Sequence, residues 1–221
     1  VWELAGQGVF VKEVQAAVLE GRADAAVHSA KDLPSSPAPG LDLAAFPVRA
    51  DPRDVLVGST LDGLGPGAPV ATGSVRRRAQ LAWARPDLTF TSLRGNIATR
   101  LGRIPPGGAI VMAAAALDRL GLTPPVAEVL PVAVMLPQVA QGAIAVECRS
   151  DDPSTRAVLE RIDDAGVRAC LTAERAYLAR LGGGCDLPVG AHAVDDQAGG
   201  LRLEALLASL DGRVMLRSRA A

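Results

Sequence analysis

Residues 25–34 have the sequence AAVHSAKDLP, in which an apolar run gives way to a cluster of polar side chains. The three apolar residues at its start predict a short buried strand. Ser29, Lys31 and Asp32 follow, and the closing proline favours an extended conformation at the residue before it. Because α/β proteins commonly hold their chemistry at the carboxyl ends of buried strands, this stretch predicts an α/β fold with a functional site here. A strand ending in a solvated ion pair explains these ten residues equally well.

Lysine is rare in this chain, which gives Lys31 additional weight. The only other lysine is Lys12, and arginine supplies nearly all of the remaining positive charge. A compact ammonium beside a carboxylate is therefore a distinctive feature of residues 25–34.

The composition excludes several classes of protein. At 221 residues and 49% hydrophobic, the chain is long enough for one large domain or two to three small ones. Its 23 basic and 24 acidic residues nearly cancel, which argues against a general nucleic-acid or membrane-surface binder. No apolar run reaches the ~20 residues of a membrane span. Three cysteines are too few and too irregularly spaced for a disulfide framework or zinc site, so we expect a reduced, cytoplasmic protein without metal.

Strand and helix patterns alternate through the first 160 residues. Strands are predicted over residues 25–27, 41–46, 55–57, 70–71, 89–93, 109–112 and 142–148, and helices over 12–19, 75–84, 96–101 and 113–120 and from 152 onward. This alternation predicts parallel or mixed sheets with helices on both faces. Residues 134–136 are interpreted as a further apolar strand, joined to 142–148 by the polar linker 138–141. A turn at Asp51-Pro52 is a candidate hinge between domains.

The pattern changes after residue 163. Apolar residues at helical spacing over 167–181 end at three glycines. Three β-type runs, at 189–194, 201–208 and 214–217, are then separated by turn sequences rich in Asp and Gly. They predict an antiparallel meander.

Two stretches resemble anion sites. Residues 72–78, TGSVRRR, place Thr72, Ser74, Arg76 and Arg77 at a predicted helix start, where cations oppose the helix dipole. A bound anion would satisfy both the free N–H groups and the guanidinium groups. Phosphate or carboxylate fits better than a nucleotide, because the glycine spacing is not that of a nucleotide-binding loop. A solvated basic turn is the alternative.

Residues 93–100, LRGNIATR, repeat this arrangement with Arg94 and Arg100. Arg119, late in the next predicted helix, is as consistent with a simple helix-terminal cation as with a ligand-binding group.

Cys185 differs from the other two cysteines because it follows three glycines and precedes Asp186, instead of lying in an apolar segment. A bulky group has access to a thiol on such a loop. An incidental surface cysteine remains the simpler interpretation of the residue alone. A protease-like Cys–His pair ranks low, because His28 and His192 are the only histidines and neither is adjacent to it.

Taken together, these stretches resemble the porphobilinogen deaminase (hydroxymethylbilane synthase) family. The matching motifs are VHSAKDLP at 27–34, TGSVRR at 72–77, SLRGN at 92–96 with Arg100, LPQVAQGA at 136–143, and Glu174-Arg175 through Gly183-Gly184-Cys185. They occur in the family's order and at family-like spacing.

The resemblance implies a fold of two periplasmic-binding-protein-like α/β domains with mixed sheets, followed by a small α+β domain with an antiparallel sheet. We place the first domain at residues 1–49 and 137–163, the second at 50–136 and the third at 164–221. The family carries an N-terminal segment and a C-terminal helix beyond this chain, so we expect a truncated chain of doubtful isolated activity. Gly73 stands where the family usually has serine.

The resemblance also implies the chemistry. A dipyrromethane cofactor would be joined to Cys185 by a thioether, and Asp32 would be the catalytic aspartate that assists loss of the amino group of porphobilinogen and stabilises the resulting azafulvene cation. The cofactor-binding residues would be Ser29, Lys31, Thr72, Ser74, Arg76 and Arg77, and the substrate-binding residues Arg94, Arg100, Arg119 and Gln141. We expect nearby cations to lower the pKa of Asp32. The family further implies a monomer, and the near-zero net charge predicts that the protein binds neither nucleic acid nor a membrane.

Two other functions remain open at this stage. A non-catalytic two-domain binding protein for an anionic small molecule would explain the arginines and the hinge, but gives Cys185 no role. A transcription factor of periplasmic-binding-like fold would need a helix-turn-helix and a basic excess, and the sequence shows neither.

Overall fold

A computed structural model describes residues 8–182, 187–196 and 199–221. The strands are β1 (Ala25–Ser29), β2 (Leu41–Ala45), β3 (Asp54–Val57), β4 (Pro69–Ala71), β5 (Thr89–Thr91), β6 (Ala109–Ala113), β7 (Ala127–Val129), β8 (Ile144–Arg149), β9 (Val189–Asp195), β10 (Leu201–Ala208) and β11 (Met215–Ala220). The helices are α1 (Gly8–Leu19), α2 (Val75–Ala84), α3 (Ile97–Leu101), α4 (Ala114–Asp118), α5 (Pro153–Leu159) and α6 (Ala165–Arg180).

These strands form three separate sheets. The first has the order β1-β8-β2, the second β5-β4-β6-β3-β7 and the third β11-β10-β9. The second sheet is mixed, since β4 pairs parallel with β5 and β6 while β3 pairs antiparallel with β6 and β7. The third is antiparallel throughout, which confirms the predicted meander. The predicted α/β class with a C-terminal antiparallel sheet is thus confirmed, whereas the domain boundaries remain a prediction.

The first two sheets each contain one strand that runs against its neighbours. In the first sheet the reversed strand is β8, which lies between β1 and β2 and pairs antiparallel with both. Strands β1 and β2 therefore run in the same direction. In the second sheet the reversed strand is β3. Each reversed strand follows a segment that connects the two sheets. We call residues 46–53 and 130–143 the two crossing segments.

The two crossing segments pack directly against each other. The Ala50 N–H donates to the Gly142 carbonyl at 3.1 Å, and a Cβ on Gly142 would lie 2.5 Å from the Ala50 carbonyl oxygen. Gly142 also has a φ of +85°, which L-residues rarely adopt. Glycine is therefore the residue that permits this close approach.

Several predicted elements differ in the structure. Residues 134–136 belong to a turn rather than a strand, because Val134 and Met135 both donate to the Pro131 carbonyl. Strand β7 was not predicted, since its alternating AEV is too short to show a period. Val27 is 66% exposed although it lies in the predicted buried strand, because it points to the face of the sheet opposite the buried Ala26 and His28.

Local signals were reliable at helix ends. Helix α2 has the predicted bounds and begins with Ser74 as N-cap. Helix α5 begins with Asp152, which caps Thr155 N–H, and has Pro153 at its first position. Helix α1 begins four residues earlier than predicted, and α4 is shorter, ending at Asp118. Among the described residues no helix is long and apolar enough to span a membrane.

Candidate active site

The Asp32 turn lies where β1 leaves the first sheet. The pairing of β1 with β8 continues one residue beyond the strand, as the Ala30 N–H donates to the Ala143 carbonyl at 3.0 Å. A single 3₁₀ turn, Ala30–Asp32, then projects Lys31 and Asp32, both half-buried. The turn closes where Leu33 N–H donates to the Ala30 carbonyl, and Leu33 is extended as the following proline requires.

Burial dominates the electrostatics of this turn. It raises the pKa of Asp32, and the nearby charges of Lys31 and His28 only partly oppose that effect. Our expectation of a lowered pKa was therefore wrong, because partial removal from water outweighs the neighbouring cations. Burial, together with repulsion from Arg77, also lowers the pKa of Lys31 to about 8.

A buried carboxylate that was not predicted as a site residue holds the start of α2. Asp54, the first residue of β3, is fully buried, and its Oδ1 accepts from Arg77 Nη2 at 2.7 Å and Nε at 3.0 Å. Arg76 Nη2 lies 2.8 Å from Asp54 Oδ2. Burial raises the pKa of Asp54, but the charges of Arg76 and Arg77 and hydrogen bonds from Gln141 and Arg77 overcome this and lower it to about 2.

This pairing explains why arginines occur in the first turn of α2, where cations oppose the helix dipole. The protein itself supplies an anion in Asp54, so Arg76 and Arg77 do not depend on a ligand to be stable there. Asp54 was difficult to identify from sequence because it follows Asp51-Pro52-Arg53, which has the composition of a turn.

Part of Arg76 nevertheless has no partner. Its Nε atom is buried and makes no hydrogen bond within the described residues, whereas Nη2 is paired with Asp54 Oδ2. Nη1 donates to the Leu136 carbonyl at 2.6 Å. Buried donors of this kind ordinarily have a partner, so Arg76 retains capacity to bind an anion.

Gln141 connects the Asp32 turn to the Asp54 cluster. Its Nε2 donates to Asp54 Oδ1 at 2.9 Å and to the Pro52 carbonyl at 2.7 Å, and its Oε1 accepts from Lys31 Nζ at 3.4 Å. Gln141 is fully buried. The structure thus brings Lys31, Gln141, Arg76 and Arg77 together, four of the predicted site residues.

The backbone that carries Gln141 is held by helix α6. Ala140 has a φ of +61°, the one positive value outside glycine among the described residues, and its N–H donates to Glu174 Oε2 at 2.7 Å. Such a backbone conformation costs of order 1–3 kcal/mol and needs support from its surroundings. Glu174 is fully buried and also binds Arg49, which donates in turn to the Gln141 carbonyl at 2.9 Å. Sequence reasoning assigned no role to Arg49 and none to Glu174 beyond its place in a motif.

The other predicted residues surround this cluster at its edges. Thr72 Oγ1 accepts from Ser74 N–H, and Ser74 Oγ accepts from Arg77 N–H, so both hydroxyls shape the loop before α2. Ser29 is half-buried and makes no side-chain hydrogen bond that closes the 3₁₀ turn. A Cβ at Gly73 would lie 2.8 Å from the Leu93 carbonyl oxygen, so glycine suits the tight contact with that loop.

Three predicted arginines carry no carboxylate partner among the residues described. Arg94 is exposed. Arg100 Nε donates to the Gly95 carbonyl at 2.7 Å, and burial together with repulsion from Arg77 lowers the pKa of Arg100. Arg119 Nη2 donates to the Gly142 carbonyl at 2.8 Å. Arg100 is thus electrostatically coupled to the Asp54 cluster, and Arg119 contacts a crossing segment.

Cys185 lies outside the described residues. Helix α6 ends at Arg180, shortly before it in the chain. The other two cysteines, Cys148 and Cys170, are free and buried, as predicted, and burial raises the pKa of each thiol. Within the described ranges no group of three or more His, Cys, Asp or Glu side chains is arranged to hold a metal.

Comparison with known proteins assigns the family. Residues 1–157 match the family model described as porphobilinogen deaminase, dipyromethane cofactor binding domain, and residues 168–220 match the model for the porphobilinogen deaminase C-terminal domain. The chain belongs to the porphobilinogen deaminase family. It is 44% identical to a porphobilinogen deaminase of Brevibacillus brevis over 99% of this chain and 72% of the relative. It is 50% identical to one of Roseiflexus sp. over 95% of this chain and 70% of the relative.

Solved structures show weaker similarity. An amino acid ABC transporter substrate-binding protein from Streptococcus pneumoniae, bound to L-arginine, covers 75% of this chain with a TM-score of 0.39 and 17% identity; the chain covers 73% of it. The OxyR regulatory domain from Pseudomonas aeruginosa, in its reduced form, covers 72% of this chain with a TM-score of 0.39 and 18% identity; the chain covers 79% of it. Scores this low do not bear on the function of the chain.

The residues of the site fit the family's dipyrromethane cofactor, whose pyrroles carry acetate and propionate carboxylates. Among the described residues, Lys31 is affected by the positive charges of Arg76 and Arg77 and by the carboxylates Asp32 and Asp54, so three cations meet two carboxylates and the cluster has an excess of positive charge. The buried Nε–H of Arg76, which has no partner among the described residues, is a donor suited to a carboxylate.

Proposed function

We propose that this chain adds porphobilinogen units head to tail to form the linear tetrapyrrole hydroxymethylbilane, releasing ammonia, with Asp32 as the catalytic carboxylate. Membership of the porphobilinogen deaminase family makes it a transferase of tetrapyrrole biosynthesis that uses a dipyrromethane cofactor. The observation that supports the residue assignment is the half-buried Asp32 next to Lys31, whose Nζ contacts the buried Gln141 and is repelled by the buried Arg76 and Arg77.

Asp32 suits a reaction in which positive charge develops on the substrate. When the amino group departs, the C–N bond breaks with its electron pair on nitrogen, and positive charge remains on the carbon that carried it. An ionised carboxylate close to that carbon stabilises the charge, and does so more strongly in a partly desolvated site than in water. Burial raises the pKa of Asp32, so at a given pH a larger fraction of this carboxyl group is protonated than in an exposed aspartate.

Cations around the turn suit substrates rich in carboxylates. Each porphobilinogen unit carries one acetate and one propionate, so a growing chain accumulates negative charge. Arg94, Arg100 and Arg119 are suited to bind these groups, because they are not neutralised by carboxylates among the described residues. The planar guanidinium binds a carboxylate with two parallel hydrogen bonds, which lysine cannot do.

The cofactor would be held by two groups of residues, one at the Asp32 turn and one at the start of α2. Lys31 and Ser29 would hold it from the Asp32 turn, and Thr72, Ser74, Arg76 and Arg77 would hold it from the start of α2. We infer that Cys185 forms the thioether, as the family pattern around it implies. When bound, the dipyrromethane supplies the terminal pyrrole carbon to which the first substrate unit is added. Gln141 orients Lys31 by accepting from its Nζ.

We also propose that the chain acts as a cytoplasmic monomer, with domains divided at the two crossing segments. The near balance of its 23 basic and 24 acidic residues supports a partner set without nucleic acid. Light scattering on the purified holoenzyme tests the monomer, since a mass twice that of the chain would contradict it.

The role of Asp32 is tested by replacing it in the holoenzyme. We expect Asp32→Asn to lower kcat for porphobilinogen consumption by at least ~10²-fold, while the intact mass still shows a dipyrromethane adduct. A protein that only binds an anionic small molecule would show neither turnover nor a covalent adduct. Normal turnover by Asp32→Asn would remove Asp32 from this role.

A further inference from the structure

Gln80 is a buried side chain that has no part in the chemistry proposed for this protein. It lies on α2 one helical turn after Arg76 and is 1% exposed. Its Nε2 donates to the Leu136 carbonyl at 3.0 Å, and its Oε1 accepts from the Leu136 N–H at 2.7 Å. Only one orientation of the amide group satisfies both contacts, because its nitrogen donates and its oxygen accepts. Gln80 therefore ties α2 to the crossing segment 130–143 through a single residue of that segment.

The Leu136 carbonyl is shared with Arg76. Arg76 Nη1 donates to the same oxygen at 2.6 Å, so both lone pairs of the oxygen bind side chains of α2. Residues four apart on a helix lie on the same face, which lets Arg76 and Gln80 reach one acceptor. Asp54 holds the other end of the guanidinium, since its Oδ2 lies 2.8 Å from Arg76 Nη2. Because the guanidinium is planar, fixing Nη1 and Nη2 also fixes the direction of Nε–H, which has no partner among the described residues.

Strand β9 closes the opposite side of this contact. A Cβ on Gly190 would lie 3.0 Å from the Leu136 carbonyl oxygen and 2.8 Å from that of Pro137. The same Cβ would lie 3.5 Å from Arg76 Cδ. The Ala191 N–H donates to the Pro137 carbonyl at 3.1 Å, and Leu136 is fully buried. A carbonyl with so little access to water depends on its protein donors, so we expect it to move when one of them is removed.

We propose that Gln80 is a positioning residue for the cofactor site: by binding both polar groups of Leu136, it fixes the carbonyl that anchors Arg76 Nη1 and so directs the free Nε–H of Arg76 toward a carboxylate of the bound dipyrromethane. Without Gln80, the guanidinium keeps its charge and its contact with Asp54 but loses its fixed orientation. A donor whose direction is already set binds a carboxylate more strongly, because binding then needs no further ordering of the side chain. This inference rests on the proposed function, in which Arg76 is a cofactor-binding residue.

The stability gained from the attached cofactor tests this role. The measured quantity is the holo–apo difference, by which we mean the thermal unfolding midpoint of the holoenzyme minus that of the Cys185→Ser protein. Replacing a glutamine that only supports the fold lowers both midpoints equally and leaves their difference unchanged. We expect Gln80→Met to reduce the holo–apo difference by about 3–6 °C, as for one weakened charge-assisted hydrogen bond in a chain of this length. An unchanged difference would overturn the proposal.

Arg76→Lys shows whether the effect of Gln80 passes through Arg76. Lysine keeps a positive charge beside Asp54 but lacks the planar guanidinium with its Nε–H. We expect Arg76→Lys to reduce the holo–apo difference, and Gln80→Met to reduce it no further in that background. Reductions that add up in the double variant would contradict a role through Arg76.

Gln80→Glu covers the case in which Gln80→Met does not fold. It keeps an acceptor for the Leu136 N–H but replaces the donor to the Leu136 carbonyl by a second acceptor, which competes with that carbonyl for Arg76 Nη1. We expect a reduced holo–apo difference here too, and a full difference in this variant would overturn the proposal.

Gln15→Met is the matched control. Gln15 is also a buried glutamine on a helix, and it donates to Glu147 instead of to a crossing segment. We expect this variant to lower both midpoints by the same amount. A reduced holo–apo difference in Gln15→Met as well would show a general effect of lost stability and overturn a specific role for Gln80.

Intact mass separates this inference from the proposed function. If the unmodified sequence carries no dipyrromethane adduct, the proposed function fails and the inference fails with it. If the adduct is present and Asp32→Asn is inactive, but Gln80→Met leaves the holo–apo difference unchanged, only the present inference fails.

Discussion

Lys31 should destabilise the protein that lacks its cofactor, although it is needed for binding. Burial and repulsion from Arg77 lower its pKa from 10.5 to about 8. A shift of that size corresponds to a cost of about 3 kcal/mol for keeping the ammonium charged in the folded state. Lys31 is only half-buried, so solvent screening reduces the expected cost to about 2 kcal/mol.

The sign of the pH dependence follows from this lowered pKa. Below pH 8 Lys31 is charged in both the folded and the unfolded chain, and the folded state carries the full cost. Between pH 8 and 10.5 the unfolded chain binds more protons than the folded one, so the free energy of unfolding rises with pH. Above 10.5 the cost is gone. The usual stabilising pattern of a lysine that gains an acid partner is thus reversed.

The perturbation is Lys31→Met in a Cys185→Ser background, so that no cofactor is attached. Urea unfolding at pH 7 and pH 10 gives the free energy of unfolding for both proteins. We expect the difference between Lys31→Met and its parent to change by about 2 kcal/mol between the two pH values, with the variant relatively more stable at pH 7. Any constant loss of the 3.4 Å contact with Gln141 cancels in this comparison.

Lys12 provides the matched control, because it is the one other lysine and lies exposed on α1. Lys12→Met should show the same difference from the parent at both pH values. A gap between Lys31→Met and the parent that stays constant from pH 7 to pH 10 would refute the assignment of a desolvation cost to Lys31.

The remaining predictions concern the residues around the cluster. Asp54→Asn leaves two buried arginines without their anion and should lower the free energy of unfolding by about 3–5 kcal/mol in urea titrations; a loss below 1 kcal/mol would contradict the buried network. Gly142→Ala adds a contact of 2.5 Å to a positive φ, whereas Gly21→Ala adds only the backbone cost, so the first should destabilise by about 1–3 kcal/mol more than the second. Equal losses would show that the crossing segments adjust freely. Arg94→Ala should lower kcat/KM for porphobilinogen by about tenfold while leaving thermal unfolding unchanged; Arg22→Ala, at an exposed ion pair remote from the site in sequence, should leave both unchanged.

Sequence patterns predicted the elements whose information is local. Helix α2 could be placed residue by residue because Ser74 caps it and Pro86 follows it, and the C-terminal meander because Asp/Gly turns separate three β-type runs. The Asp32 turn was also local, since a polar cluster and a proline mark the end of its strand. The family motifs added the residue roles, which no local pattern supplies.

What the sequence did not predict depends on contacts between distant segments. Asp54 can pair with Arg76 and Arg77 only in the folded chain, where β3 lies beside β6. Glu174, which is 34 residues from Ala140 in the chain, accepts a hydrogen bond from the Ala140 N–H. The raised pKa of Asp32 likewise reflects burial by other parts of the chain, whereas the neighbouring cations visible in the sequence predicted the opposite direction. Register, burial and backbone strain are properties of the folded chain.

The most direct test of the central claim, that Asp32 acts on a pyrrole chain bound to Cys185, is the intact mass of the holoenzyme after brief mixing with porphobilinogen. We expect the unmodified sequence to show a dipyrromethane adduct and a series of heavier species, each larger by one pyrrole unit. Asp32→Asn should show the adduct without the series, and Cys185→Ser should show the mass of the bare chain. The same series in Asp32→Asn, or an adduct in Cys185→Ser, would contradict the claim.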